Sequence, residues 1–310
     1  MSAQKAIRVR TPASSANLGP GFDTLALALG LYLECTLRPA AKGFSVRVSG
    51  EDRSGIPPDA TNLTWRSFLR LAGGKAPGGV ELEIVNDIPV GKGLGSSAAA
   101  IVAGLALANE WLGLGTSREE LVQLAAEIEG HPDNVAAAAW GGFVVSCQNE
   151  DGRVMSVKLG RATAVEVVLA VPEFQLSTTA ARAALPAHYS RQDAVFNVQR
   201  VALLVAALAD PAERDADLFR EAMRDRLHQP YRAPLIPGLE DILRLRDVPG
   251  LLGVALSGAG PSVVAFCSGH TEEVGAALVA CFRAKNTAAR ARRLPIDTEG
   301  FVIERLDPFP

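Results

Sequence analysis

The chain has 310 residues, 48% hydrophobic and 21% charged, enough for two domains at roughly 100–200 residues each and too apolar to stay disordered. Lys+Arg is 31 and Asp+Glu is 34, a net charge of -3, so no positive excess is available for nucleic acid or an anionic membrane. Aromatic residues make up only 5%, whereas glycine is frequent, with 29 residues.

Cys35, Cys147, Cys267 and Cys281 lie far apart, with no CxxC and no Cys/His pair at ligand spacing, so neither a zinc site nor a disulfide framework is expected. Residues 1–10, MSAQKAIRVR, lack an apolar signal region. The longest apolar run, near residues 98–108, falls well short of the ~20 residues that span a bilayer. A soluble, cytoplasmic protein is expected.

Residues 6–10, 32–37 and 44–48 read as strands, and residues 61–71 as a helix stopped by Gly73-Gly74. Residues 80–85 alternate Val80, Leu82 and Ile84 against Glu81 and Glu83, a half-buried strand. The glycine-rich segment 89–100 then feeds an apolar helix through residue 112, whose small residues suit close packing on a sheet. Ser117 to Glu120, SREE, is a capping box opening a helix over 118–128. Strands are expected at 141–147, 165–171, 252–256 and 263–267, and helices at 193–209, 213–228 and 272–285. The early strands are adjacent rather than separated by helices, which favours α+β with mixed or antiparallel sheets. A boundary is expected near the polar stretch 148–153, dividing the chain into 1–160 and 161–310.

The chemistry signal is Pro89-Val90-Gly91-Lys92-Gly93-Leu94-Gly95-Ser96-Ser97. Three closely spaced glycines let the backbone adopt left-handed angles and approach a ligand. The helix that follows offers unpaired N–H groups and a partial positive charge, a cradle for phosphate. The loop fits neither GxxxxGK[ST] nor GxGxxG: its lysine lies between glycines, and its third glycine comes one residue early. Two more stretches, NLGPGFD from Asn17 and SGAGPS from Ser257, combine glycine with small polar residues. Three such loops point to backbone groups converging on a polyanion.

These three stretches resemble the signature motifs of the GHMP small-molecule kinases. TPASSANLGPGFDTL, GHPDNVAAAAWGG, STTAARAALP, DRLHQPYRAPLIPG and DTEG, spread over almost the whole chain, resemble the homoserine kinases within that superfamily. The resemblance implies an N-terminal α+β domain with a left-handed βαβ crossover and a ferredoxin-like C-terminal domain. It implies ATP-dependent phosphorylation of the L-homoserine hydroxyl and a homodimer; the charge balance and the short apolar runs lead to the expectation of no nucleic-acid or membrane partner.

Phosphoryl transfer needs positioning and charge neutralisation more than covalent catalysis. Residues 89–97 are expected to hold the ATP phosphates, with Ser257 and Gly258 closing from below and Asn62 near the adenine. Ser97, with Ser96 as second choice, is expected to bind Mg2+ together with a carboxylate; Glu127 and Glu129 are candidates, and the family pattern favours Glu127. An amino-acid substrate needs arginine for its carboxylate and carboxylate or carbonyl groups for its ammonium. Arg182 and Arg232 fit the first, and Asp23 with Asn17 the second. His131, Asn134 and Gly260 are placed in the same pocket, with Asn134, Arg182 and Thr178 at the reacting groups. Asp133 is either a general base or a residue that fixes its loop. A mevalonate-type kinase and a non-catalytic nucleotide-binding relative are the competing readings.

Overall fold

The computed structural model describes residues 5–53, 55–159, 165–210, 212 and 215–306. In chain order the strands are β1 (Ala6–Asn17), β2 (Gly21–Pro39), β3 (Phe44–Ser49), β4 (Val80–Asn86), β5 (Phe143–Gln148), β6 (Val154–Leu159), β7 (Glu166–Pro172), β8 (Leu251–Leu256), β9 (Val263–Cys267), β10 (Ala289–Leu294) and β11 (Val302–Leu306). The helices are α1 (Leu63–Leu71), α2 (Ser96–Leu112), α3 (Arg118–Glu129), α4 (Asp133–Trp140), α5 (Thr178–Ala183), α6 (Arg191–Ala209), α7 (Ala216–Ala222), α8 (Gln229–Arg232), α9 (Leu239–Leu243) and α10 (Thr271–Ala284).

The first sheet runs β11-β1-β2-β4-β3, with the β5–β6 hairpin paired to the start of β2. Among the described residues its one parallel pair is β3–β4, joined through α1 as a βαβ crossover. Helices α2 and α4 pack on β1 and β2. Ala98, Ala99, Ala103 and Ala106 are fully buried, so the small side chains let α2 lie close against its neighbours. Covering on both faces explains why residues 11–17 of β1 are continuously buried while residues 6–10 alternate.

The second sheet is antiparallel, in the order β10-β7-β9-β8. The chain passes β7, helices, β8, β9, α10, β10, so the sheet order is fourth, first, third, second: the ferredoxin-like βαββαβ arrangement. Its core is continuous around Leu256, Val263, Leu278 and Phe282, each contributing about 1.5–3 kcal/mol on burial.

Several elements depart from the sequence-based expectation. The helix expected at 213–228 is only α7; its first two residues lie outside the described ones. The carboxylate of Asp225 accepts from the backbone N–H groups of Leu227, His228 and Gln229, which turns the chain out of the helix. Residues 148–153 form the turn of the β5–β6 hairpin, where Asn149 donates to Arg153 O. The expected division at 160/161 lies outside the described residues. Strand β11 brings the C-terminal residues back to β1. Helices α4, α5, α8 and α9 and strands β6, β10 and β11 were not expected. No described helix is long and apolar enough to cross a membrane.

Candidate active site

The site forms where the three glycine stretches meet. Gly95 is the N-cap of α2, left-handed at φ 67, and no side chain caps this helix. Its first-turn N–H groups are therefore available to an anion. The 257–262 loop closes on the phosphate loop: Ser257 Oγ donates to Gly93 O at 2.7 Å and Ser262 N to Lys92 O at 3.2 Å. The first stretch joins them, with Gly258 N donating to Ala16 O at 3.0 Å and Asn17 Nδ2 to Gly258 O at 2.8 Å. A Cβ on Gly93 would lie 2.2 Å from Ser257 O, and one on Gly95 would lie 2.1 Å from Ser14 Oγ. These two glycines are thus required by loop packing on loop, besides any approach to a ligand.

A cavity of 330 Å3 opens beside them, within the range of small-molecule sites. Part of its wall is apolar, from Ile56, Pro57, Leu63, Ile84 and Val90, and part is charged, from Asp23, Glu129, His131, Asp133, Arg182 and Arg232.

Helix α5 is capped by Ser177, which accepts from Ala180 N, and it delivers Arg182. Both Arg182 nitrogens bind Asp23, Nη2 to Oδ1 at 2.8 Å and Nη1 to Oδ2 at 3.1 Å. Burial works against the Arg182 charge, but the Asp23 carboxylate outweighs it and holds the guanidinium protonated. Arg232 is 1% exposed and donates from Nη1 to Gly258 O at 3.1 Å and to His228 Nδ1 at 3.2 Å. His228 Nε2 is 2.6 Å from Gly19 O and must donate there, which leaves Nδ1 as acceptor and the ring neutral. Burial, helped by the Arg232 charge and opposed by Asp225, keeps the His228 pKa below its ordinary value. The Phe22 ring stacks on His228 and lies under both guanidinium groups, 5.6 Å from Arg182 and 5.4 Å from Arg232.

At the start of α4, Asp133 Oδ1 is 2.7 Å from His131 Nδ1 and accepts from Asn134 N at 2.6 Å. Burial pulls the His131 pKa down, but Asp133, then Glu129 and Asp23, leave it above the ordinary histidine value. Asn134 Oδ1 accepts from Ser14 Oγ at 2.8 Å. Ser97 Oγ donates to Glu129 Oε1 at 2.5 Å. Burial raises the Glu129 pKa against the lowering effects of Ser97 and His131.

Residues 62–142 match the model of the GHMP kinases N terminal domain, and residues 204–285 that of the GHMP kinases C terminal. A homoserine kinase of Solibacter usitatus is 47% identical over 299 residues, covering 96% of this chain and 97% of that relative. The chain belongs to the homoserine kinase family of the GHMP kinases. A second family member, from Desulfitobacterium hafniense, is 44% identical and covers 96% of this chain and 99% of its own. The crystal structure of homoserine kinase from Cytophaga hutchinsonii matches with a TM-score of 0.83 at 31% identity, covering 98% of this chain and 99% of that one. L. major mevalonate kinase in complex with R-mevalonate, at 18% identity, TM-score 0.68 and coverage of 93% and 95%, shares the fold alone.

Against the homoserine kinase pattern, most expected residues gather at the cavity. They are Asn17, Asp23, Asn62, Pro89, Val90, Gly91, Gly93, Leu94, Gly95, Ser96, Ser97, His131, Asn134, Thr178, Arg182, Arg232 and Gly258. Four expected residues are placed elsewhere. Lys92 points away from the cavity, its Nζ donating to Pro172 O and Phe174 O. Glu127 lies on the exposed face of α3, where it accepts from Gln123. Its neighbour two residues on, Glu129, faces Ser97 instead, because a helix turns about 100° per residue. Ser257 supports the loop from behind through Gly93. Gly260 is packed against Ile236 and Leu256, which a Cβ would meet at 2.7 and 2.8 Å.

Asn62 reaches the wall with its amide already committed: Oδ1 caps α1 through Thr64 N, and Nδ2 donates to Pro57 O. Trp65, three residues beyond Asn62, is a core residue stacked between Phe44 and Phe68. Ser14 and Phe22 were not singled out from sequence. Both flank residues that were, in TPASSANLGPGFDTL, and their roles arise from contacts with residues more than one hundred positions away.

Proposed function

We propose that this chain transfers the γ-phosphoryl group of ATP to the side-chain hydroxyl of L-homoserine, giving O-phospho-L-homoserine on the way to threonine. One observation carries the reading: the Asp23–Arg182 ion pair lies in the same cavity as the uncapped start of α2. A free amino acid presents an ammonium and a carboxylate together. Asp23 and Arg182, paired with each other at 2.8 and 3.1 Å, match those two charges. Arg232, preorganised by His228 and Gly258, adds a second guanidinium toward the carboxylate.

The loop over 91–95 and the first turn of α2 receive the ATP phosphates, where the helix N-terminus favours negative charge. Mg2+ fits the donors present: a hydroxyl from Ser97 and a carboxylate from Glu129, leaving its other positions to water and phosphate oxygens. When bound it neutralises charge on the β- and γ-phosphates. Asn134, held by Ser14, and Thr178, at the start of α5, orient the hydroxyl and the moving phosphoryl group. Asp133 is 1% exposed, with its Oδ1 shared between His131 and Asn134. It fixes those two residues, and transfer proceeds without a carboxylate base. The same reading places the enzyme in the cytoplasm as a homodimer, which sedimentation measures directly.

The deciding experiment supplies Mg·ATP with homoserine, mevalonate, threonine or galactose in parallel and follows ADP release. Release with homoserine well above the others is expected. Release with mevalonate and none with homoserine would overturn the substrate assignment.

A further inference from the structure

The lysine inside the phosphate loop makes contacts that a phosphate ligand does not need. Lys92 is 9% exposed, and its Nζ donates to Pro172 O at 2.8 Å and Phe174 O at 2.6 Å. Both acceptors belong to the segment running from the end of β7 to the start of α5. Two further bonds join the same parts: Leu176 N donates to Gly91 O at 3.3 Å, and Gln175 Nε2 to Val90 O at 3.3 Å. The loop from β4 to α2 is therefore stitched along residues 90–92 to residues 172–176. Immediately beyond the stitch, α5 carries Thr178 and Arg182 into the cavity.

We propose that Lys92 is a positioning residue, which ties the phosphate loop to the segment bearing α5 and so sets Arg182 and Thr178 at a fixed distance from the phosphates. The proposal rests on the kinase reading above for its consequence but not for its geometry. An ammonium has three donors, and two are held by carbonyls of the second sheet's side of the cavity. Charge-assisted bonds of this kind are stronger than neutral ones. Burial lowers the Lys92 pKa below its ordinary value, and Asp52 and Glu173 oppose that shift only in part. Among the described residues, no other lysine joins the 89–97 loop to residues 172–176. The tie makes nucleotide site and substrate site one unit: an error in the loop is transmitted to Arg182, which lies in a different sheet's connection.

The test uses the full chain with Lys92→Met, which keeps the length of the side chain and removes its donors. Hydrogen exchange without any ligand is expected to show lost protection over residues 176–183. Steady-state kinetics are expected to show the KM for homoserine rising about tenfold or more and that for ATP changing less than about threefold, the signature of displaced substrate contacts. Lys92→Arg, which keeps charge and several donors, is expected to recover most of both. A rise in the ATP KM with unchanged exchange over 176–183 would make Lys92 a phosphate ligand and overturn the proposal. If Lys92→Met does not fold, Lys92→Gln, which keeps one amide donor, is read by the same two measurements. Should homoserine prove not to be the substrate, the ligand-free exchange result still stands or falls on the tie alone.

Discussion

Gly93→Ala tests whether the phosphate-loop glycines serve the protein or only the ligand. Gly93 sits at φ 74, and its added methyl would lie 2.2 Å from Ser257 O and 2.8 Å from both Gly260 N and Gly260 O. All three are backbone atoms, so no side chain can rotate away. The left-handed backbone costs an alanine about 1–2 kcal/mol. Pushing the loops apart breaks Ser257 Oγ to Gly93 O and strains Ser262 N to Lys92 O, at about 1–3 kcal/mol for a buried group left unpaired. The sum is about 2–5 kcal/mol. Gly91→Ala is the control: φ is 70, but its methyl meets only the Gln175 side chain, at 3.3 Å, so the backbone term of about 1–2 kcal/mol stands nearly alone. Thermal unfolding without nucleotide is the assay. At roughly 2–4 °C per kcal/mol for domains of 150–250 residues, Gly93→Ala is expected to lose at least about twice the Tm that Gly91→Ala loses. Equal losses in the two variants, with only the ATP KM raised in Gly93→Ala, would show that the glycine is there for the ligand and refute the loop-packing account.

Three further outcomes follow from the site. Glu129→Gln is expected to lower kcat by about 10²-fold or more, the scale of losing one electrostatic contact at a transferring phosphoryl group, while Glu127→Gln leaves turnover unchanged; titrating Mg2+ in both variants reads the difference directly. Arg182→Ala is expected to raise the homoserine KM with the ATP KM retained, because it removes the guanidinium that meets the substrate carboxylate; steady-state kinetics with each substrate varied in turn decide this. The His131 pKa, raised by Asp133, gives a stabilising term that is fully present below the unfolded value of about 6.5 and lost as pH rises through the higher folded value. NMR titration of the imidazole is expected to show that pKa falling in Asp133→Asn, and an unchanged value would remove Asp133 as its cause.

Much of the fold was legible where periodicity was strong. The SREE capping box opens α3 with both reciprocal bonds formed, and the Val80, Leu82, Ile84 alternation is β4 with those three side chains buried. Strand β10, ARARRL, was not legible because an edge strand with arginines on its open face lacks an apolar signature. Helix α4 was hidden by lying within a motif dominated by His131, Pro132 and Gly141. In the site, Asp23, Arg182, Arg232, Ser97 and Asn134, singled out by residue type, all line one cavity.

Local sequence thus determined which glycine loop, helix start and charged side chains this chain has to offer, because glycine backbone freedom, helix-start geometry and side-chain charge are local properties. Tertiary structure alone decided how they are used. Glu129 rather than Glu127 meets Ser97, since that depends on which face α3 turns toward α2. Lys92 leaves the phosphates, since carbonyls some eighty residues away take its donors. The 29 glycines were a sign of ligand approach in the sequence; at Gly93 and Gly95 the fold shows them to be the contact surfaces on which the three loops rest. In each case the deciding partner is distant in the chain, and only folding brings it within hydrogen-bonding or van der Waals range.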